Sequence, residues 1–402
     1  MQVGTVLGEH GEKLDQGLAW VFAGPCSYTG EDTVEISAHG SLIVLEALVR
    51  AALSHGAVLA GPGEFTRRAF LNGKIDLLQA EGVVDLIHAV GRFSLGNAYG
   101  MLSGQLSASV GAIGEFTLDA LALAEALLDF PDDVPSAFGE IDSMVCRALA
   151  RCAELTGTFE TFSRKNDGVE VAIVGPPNAG KSSLFNLLLR DSRAIVSPVP
   201  GTTRDLIEAR LFLDGELFRL VDTAGLRPTA DPVEAEGVSR AMAAAQRADL
   251  VLVVMDASIP WIVDIGAMLE RLDPKRVGVV FNKVDLPLQI VLPEDLGFTP
   301  LRVSALLGDG VDLLLDFLRS KRGRPHEDSE AVSLTRVRHF ECLSRAEVHF
   351  RNALVQLNSM PPALECVAEE LRGALAEVHS VLGVEVGDVL LDRIFSEFCI
   401  GK

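Results

Sequence analysis

A chain of 402 residues is too long for one ordinary hydrophobic core, and a 48 % hydrophobic content describes a protein folded almost throughout as two or three domains. A net charge of −21 excludes nucleic-acid binding by bulk attraction, which needs clustered Lys and Arg. Any RNA must therefore meet a local basic patch or be held by a partner, and solubility alone also accounts for the acidity. The most relevant apolar run, Leu250 to Met255, is short and stops at Asp256, so no membrane-spanning segment is expected. The opening Met1-Gln2-Val3-Gly4-Thr5 has neither the basic nor the apolar region of a secretory leader. Cysteines at 26, 146, 152, 342, 366 and 399 form no metal-ligand spacing, so the expectation is reduced thiols in a cytoplasmic protein.

Residues 1–73 mix strand candidates (Gly17 to Phe22, Thr33 to Ser37) with a helix pattern at Leu42 to Leu53, punctuated by Gly24-Pro25 and Gly61-Pro62-Gly63. They predict a small α+β domain. From 74 to 165 apolar residues recur at helical spacing (Leu78, Val83, Leu86, Ile87, Val90; then Leu118, Leu121, Leu128). Phe130-Pro131-Asp132-Asp133 interrupts that pattern, with Asp133 or Ser136 available to cap the next helix. Residues 166–325 alternate buried strands with helices: Val169–Val174, Phe218–Asp222, Leu250–Asp256, Val277–Asn282 and Leu301–Ser304. That order predicts a doubly wound, mostly parallel α/β domain. Arg322 to Asp328 reads as a linker, and residues 326–402 return to helical periodicity, ending on the face Leu390, Leu391, Ile394, Phe395 and Phe398. An α/β domain inserted into one helical domain is the economical arrangement; two separate bundles are the alternative.

Gly175-Pro176-Pro177-Asn178-Ala179-Gly180-Lys181-Ser182 fits the phosphate-loop pattern, with a strand before it and a helix pattern, Ser183 to Leu189, after it. The glycines let backbone N–H groups face phosphate oxygens, and the helix start adds positive potential. Lys181 would bridge the β- and γ-phosphates, and Ser182 would ligate Mg²⁺. Gly201-Thr202-Thr203-Arg204-Asp205 supplies a threonine for Mg²⁺ and the γ-phosphate, and Asp222-Thr223-Ala224-Gly225 lies at a strand end. Asn282-Lys283-Val284-Asp285 offers a carboxylate to the guanine N1–H and 2-amino group, a donor pair adenine lacks. Ser304-Ala305-Leu306 supports the base from the other side. Together these motifs predict GTP over ATP. Leu226 stands where Ras-like proteins place a water-orienting glutamine. Glu234 could orient that water instead, or could be one of several acidic residues starting a helix.

Two further blocks, Pro62-Gly63-Glu64-Phe65-Thr66-Arg67-Arg68-Ala69-Phe70-Leu71-Asn72-Gly73-Lys74-Ile75-Asp76-Leu77 and the terminal Phe398-Cys399-Ile400-Gly401-Lys402, make the chain resemble the MnmE (TrmE) family of tRNA modification GTPases over essentially its whole length. The resemblance implies a folate-binding, dimerising N-terminal domain followed by a helical domain that a GTPase domain interrupts. It implies a homodimer that acts with a FAD-containing partner of MnmG type on tRNA. The reaction implied is an aminomethyl-type modification at carbon 5 of wobble uridine, with tetrahydrofolate as one-carbon source. In its GTP site the resemblance groups Asn178, Ala179, Gly180, Lys181, Ser182 and Ser183 with Ser197, Val199, Pro200, Gly201, Thr202 and Thr203. Mg²⁺ would sit on Ser182 and Thr203, and K⁺ on Asn178, Ser197, Val199 (through its carbonyl) and Thr202. Lys181, Gly225 and Glu234 take the catalytic roles, Glu234 as the water-positioning group.

Folate contacts carry over at Glu35, Lys74 and Lys402, and Cys399 matches a cysteine linked to tRNA modification, although a small buried apolar role suits it equally. There are departures from the family pattern. Family members start some forty to fifty residues earlier, with a strand whose folate-contacting arginine has no counterpart here, so the 1–73 domain is expected to be truncated; Gly61 stands for a common arginine, and Ser197 for Thr. These departures motivate an alternative function, a GTP-dependent switch or assembly protein that no longer binds folate or modifies tRNA. A ribosome-assembly GTPase would need an appended RNA-binding module, and no such motif is present.

Overall fold

The computed structural model describes residues 1–130, 137–191, 207–222, 242–261, 263–291, 298–321, 332–384, 387–398 and 401. Two compact units result: residues 1–88, 96–159 and 331–402 form one, and residues 89–95 with 160–330 form the other.

The first unit opens with a three-stranded antiparallel sheet, β1 (Gln2–Leu7), β2 (Lys13–Phe22) and β3 (Thr33–Ser37). β1 was not among the expected strands, and β2 starts earlier than Gly17. The segment Gln2-Val3-Gly4-Thr5-Val6-Leu7 buries only Val6, so it shows little alternation and becomes a strand through its pairing with β2, Gln2 opposite Ala19. Helices α1 (Leu42–Ser54) and α2 (Glu64–Leu71) follow.

Helices follow among the described residues: α3 (Leu77–His88), α4 (Arg92–Leu102), α5 (Gln105–Asp129) and α6 (Ala137–Asn166), the start of α4 and the end of α6 belonging to the second unit. α5 ends just before Pro131, as the break predicted; the proposed caps Asp133 and Ser136 lie outside the described residues. By length and composition alone α5 is long and apolar enough to cross a membrane, contrary to the expectation of no such segment. Its Val110, Ile113, Ala120, Leu121, Ala124 and Leu127 instead sit in the main core of the unit. That core also takes Phe350, Ala353, Leu371, Ala374 and Val378 from two helices near the C-terminus. A fully buried side chain such as Phe350 contributes about 1.5–3 kcal/mol.

A buried ionic network ties Glu81 on α3 to the segment 335–339. Glu81, 1 % exposed, lies 2.7 Å from His339 Nε2 and 3.2 Å from Arg338 Nη2, while Arg336 bridges Asp85 at 3.2 Å and Glu397 at 3.0 Å. Burial alone would raise the Glu81 carboxyl, but His339, Arg338 and Arg336 outweigh it and hold it down at about 2 against an ordinary 4.5. A depressed carboxyl contributes stability that is present above its unfolded value and lost as pH falls through the folded one. Circular-dichroism melts of the full chain should therefore weaken as pH drops from 4.5 toward about 2, and Glu81→Gln should flatten that fall. Parallel pH profiles for the two proteins would remove Glu81 from the account.

In the second unit a six-stranded sheet has the order β5-β6-β4-β7-β8-β9, with all neighbours parallel except β5 and β6. The strands are β4 (Val169–Val174), β5 (Ile207–Leu213), β6 (Glu216–Asp222), β7 (Leu250–Asp256), β8 (Val277–Asn282) and β9 (Leu301–Arg302). β5 adds an antiparallel edge strand that the sequence reading omitted, and β9 is shorter than expected. Alternation along the central strands builds two cores. Val171, Ile173, Leu250, Leu252 and Val254 pack with α7 (Lys181–Asp191) and α9 (Val311–Lys321). Ala172, Val174, Val251, Val253 and Met255 pack with Ile265 and Leu269 of α8 (Val263–Leu269). A sheet covered on both faces explains why these strands read as unbroken apolar runs. Among the described residues after 331, the first unit gains α10 (Val337–Leu357), α11 (Leu364–Leu382) and α12 (Asp388–Ser396). The expected face of α12 is buried, with Leu391, Ile394 and Phe395 against Leu77, Ala80 and Val84 of α3.

Candidate functional site

Ligands of doubly wound sheets bind beyond the carboxyl ends of the strands, and there β4 runs into the phosphate loop. Gly175 has φ +147°, and a Cβ on it would lie 2.1 Å from the Val254 carbonyl oxygen of β7. Gly180 has φ +88°, and its Cβ would lie 2.1 Å from Asn282 Nδ2. Neither position accepts a side chain, so the loop closes tightly over the sheet. Lys181, 8 % exposed, donates from Nζ to the Gly175 and Pro176 carbonyls at 2.9 and 2.8 Å. Ser182 and Ser183 follow in the first turn of α7, where N–H groups and the helix dipole favour an anion. Asn178 adopts φ +60°, a left-handed conformation that asparagine tolerates better than most residues.

At the end of β8, Asn282 braces two loops. Its Nδ2 donates to the Ala179 carbonyl at 2.8 Å, and its Oδ1 accepts from the Ala305 N–H at 3.0 Å. The buried Ser304 hydroxyl donates to Asp285 Oδ1 at 2.6 Å and accepts from the Leu307 N–H at 3.1 Å. Asp285 is thus oriented by a buried group that the Leu307 N–H itself holds, which suits bidentate reading of a purine edge. Ala305 and Leu306 continue that turn, Leu306 being 82 % exposed. Lys283 has φ +64°, which costs about 1–2 kcal/mol for an L-residue. Its Nζ donates to Asp256 Oδ2 at 2.6 Å. Burial opposes the Asp256 charge, but hydrogen bonds from Lys283 and Ser258 outweigh it and hold the carboxyl below its usual range. Asp256 and Ser258 were not singled out from the sequence; the sole signal was a charged residue ending the run Leu250 to Met255.

The structure therefore brings Asn178, Ala179, Gly180, Lys181, Ser182, Ser183, Asn282, Lys283, Asp285, Ser304, Ala305 and Leu306 to the strand ends of one sheet. Asp222 closes β6, paired with Ile173 and Ile207. Ser197, Val199, Pro200, Gly201, Thr202, Thr203, Thr223, Ala224, Gly225, Glu234, Cys399 and Lys402 lie outside the described residues. Of the folate candidates, Glu35 stands on β3 opposite Trp20, and Lys74 donates to the Pro25 carbonyl at 2.8 Å.

A phosphate loop after the first strand of this sheet and a braced Asn-Lys-x-Asp turn after β8 define a P-loop GTPase. A family model described as the MnmE helical domain matches residues 77–399, and one described as the N-terminus of the GTP-binding protein TrmE matches residues 1–74. The chain belongs to the MnmE (TrmE) family, with both of those domains represented in it. The tRNA modification GTPase MnmE of Geobacter sulfurreducens is 43 % identical over 98 % of this chain and 87 % of its own length. That of Dichelobacter nodosus is 41 % identical over 98 % and 88 %. Among solved structures, the G domain of the T. maritima FeoB iron transporter aligns with 39 % of this chain and 99 % of its own at 27 % identity, with a TM-score of 0.31.

Proposed function

We propose that this chain hydrolyses GTP to drive modification of tRNA at carbon 5 of the wobble uridine, as a homodimer working with a FAD-containing partner of MnmG type. The observation that carries the reading is the braced base site, Ser304 on Asp285 and Asn282 on Ala179, in a member of a family whose named relatives are tRNA modification GTPases. Asp285 would accept the guanine N1–H and 2-amino donors, and Lys181 would stabilise charge between the β- and γ-phosphates. Glu234 would orient the attacking water, with the Gly225 N–H on the γ-phosphate.

Hydroxyl and amide oxygens at Ser182 and Asn178 are hard donors that suit Mg²⁺ and K⁺. Thr203 would complete the Mg²⁺ set, and Ser197, Val199 and Thr202 the K⁺ set. When bound, the two cations neutralise negative charge on the leaving diphosphate. Glu35, Lys74 and Lys402 would hold the tetrahydrofolate that supplies the one-carbon unit, and Cys399 would be the modification thiol. The net charge of −21 leaves tRNA to be gripped locally or by the partner. Turnover of GTP by the full chain should be faster in KCl than in NaCl at equal ionic strength. Equal rates in the two salts would count against Asn178 as a K⁺ ligand.

A further inference from the structure

We propose that Asp256 is a positioning residue for nucleotide binding, holding the Lys283 ammonium from the end of β7 and so fixing the side chain between the phosphate loop and the base-reading turn. The proposal rests on the reading of these loops as a guanine-nucleotide site and adds a residue to it. β7 and β8 end in register, Asp256 opposite Asn282, and the Ala257 N–H donates to the Asn282 carbonyl at 2.8 Å. The two oxygens of Asp256 then divide their work. Oδ1 accepts from the Ser258 N–H at 2.9 Å and its hydroxyl at 2.6 Å, closing the turn after β7. Oδ2 accepts from Lys283 Nζ at 2.6 Å.

A turn cap needs only the first oxygen, and asparagine would serve there as well. The second oxygen needs to be a carboxylate, because an amide nitrogen would face the ammonium. What that oxygen holds is the middle of the Asn282-Lys283-Val284-Asp285 turn, in a left-handed backbone. The Lys283 stem passes close to the phosphate loop, with Cε 4.0 Å from the place a Cβ on Gly180 would occupy. Asp256 thereby fixes a side chain that borders both halves of the nucleotide site through one charge-assisted bond.

Asp256→Asn in the full chain keeps the acceptor for Ser258 and removes only the grip on Lys283. Titration with fluorescent GDP and GTP analogues should show both affinities weakened by the same factor, about ten- to a hundredfold. The KM for GTP should rise with kcat at saturation unchanged, because Lys283 borders the base and the loop rather than the transferred phosphate. Lys283→Met should weaken binding too, and the double variant should be no worse than Lys283→Met alone. Unchanged affinity in a folded Asp256→Asn protein, or fully additive losses, would overturn the proposal. Should that variant fail to fold, Lys283→Met carries the test, because it removes the side chain that Oδ2 holds and leaves the Ser258 turn intact: about a tenfold or larger loss of affinity supports the proposal and no loss overturns it. A wild-type chain that bound neither nucleotide would overturn the site reading itself, whereas wild-type binding with unaltered variants would overturn the Asp256 role alone.

Discussion

Lys181→Ala is expected to lower GTP turnover by about 10²–10³-fold, the typical cost of removing one preorganised donor aimed at charge that develops in a transition state. The structure puts this ammonium over the loop it serves, bound to the Gly175 and Pro176 carbonyls and almost fully buried. A cation held there loses little freedom when phosphate arrives, and its burial leaves its charge less screened than at the surface. Each of the two carbonyl bonds to the charged donor is worth about 1.5–3 kcal/mol, offset in part because the variant no longer buries an ammonium. Phosphate release should therefore collapse in a protein that still melts cooperatively. Turnover close to that of the wild type would remove Lys181 from the mechanism.

Asp285→Asn should weaken guanine-nucleotide binding by about 10²–10³-fold and turn preference toward xanthosine nucleotides. The direction follows from Ser304. Its hydroxyl donates to Asp285 Oδ1 at 2.6 Å, and in the variant it would keep the amide oxygen as its acceptor. The amide nitrogen then takes the other position and presents hydrogens where guanine brings its own donors. Xanthine carries a carbonyl in place of the 2-amino group and accepts from that nitrogen. Because Ser304 is fully buried and also accepts from Leu307, the amide gains little by flipping. Nucleotide titrations of the variant with both purines measure the exchange.

The central strands and the phosphate loop were legible because each is a local pattern with a physical cause. A strand buried on both faces must be apolar along its buried length, and Val171–Val174 and Leu250–Met255 are; a loop with no room for a Cβ must carry glycine, as at Gly175 against the Val254 carbonyl and Gly180 against the Asn282 side chain. β1 and β5 escaped notice because their strand character comes from partners elsewhere in the chain, β2 and β6, rather than from their own alternation. Asp256 escaped for a related reason. Its meaning lies in the in-register ending of β7 and β8, which places it against Lys283 across 27 residues of sequence. The ionic network at Glu81 was equally hidden, since Arg338 and His339 approach it from the far end of the chain.

Initial rates of phosphate release from GTP and from xanthosine triphosphate, measured for the wild type and for Asp285→Asn, test most directly whether these strand ends form a guanine-reading hydrolytic site. The account predicts a crossing: the wild type turns over GTP and neglects the xanthosine nucleotide, and the variant reverses that order. The same ratio of rates in both proteins, or a wild type that hydrolyses neither nucleotide, would contradict it.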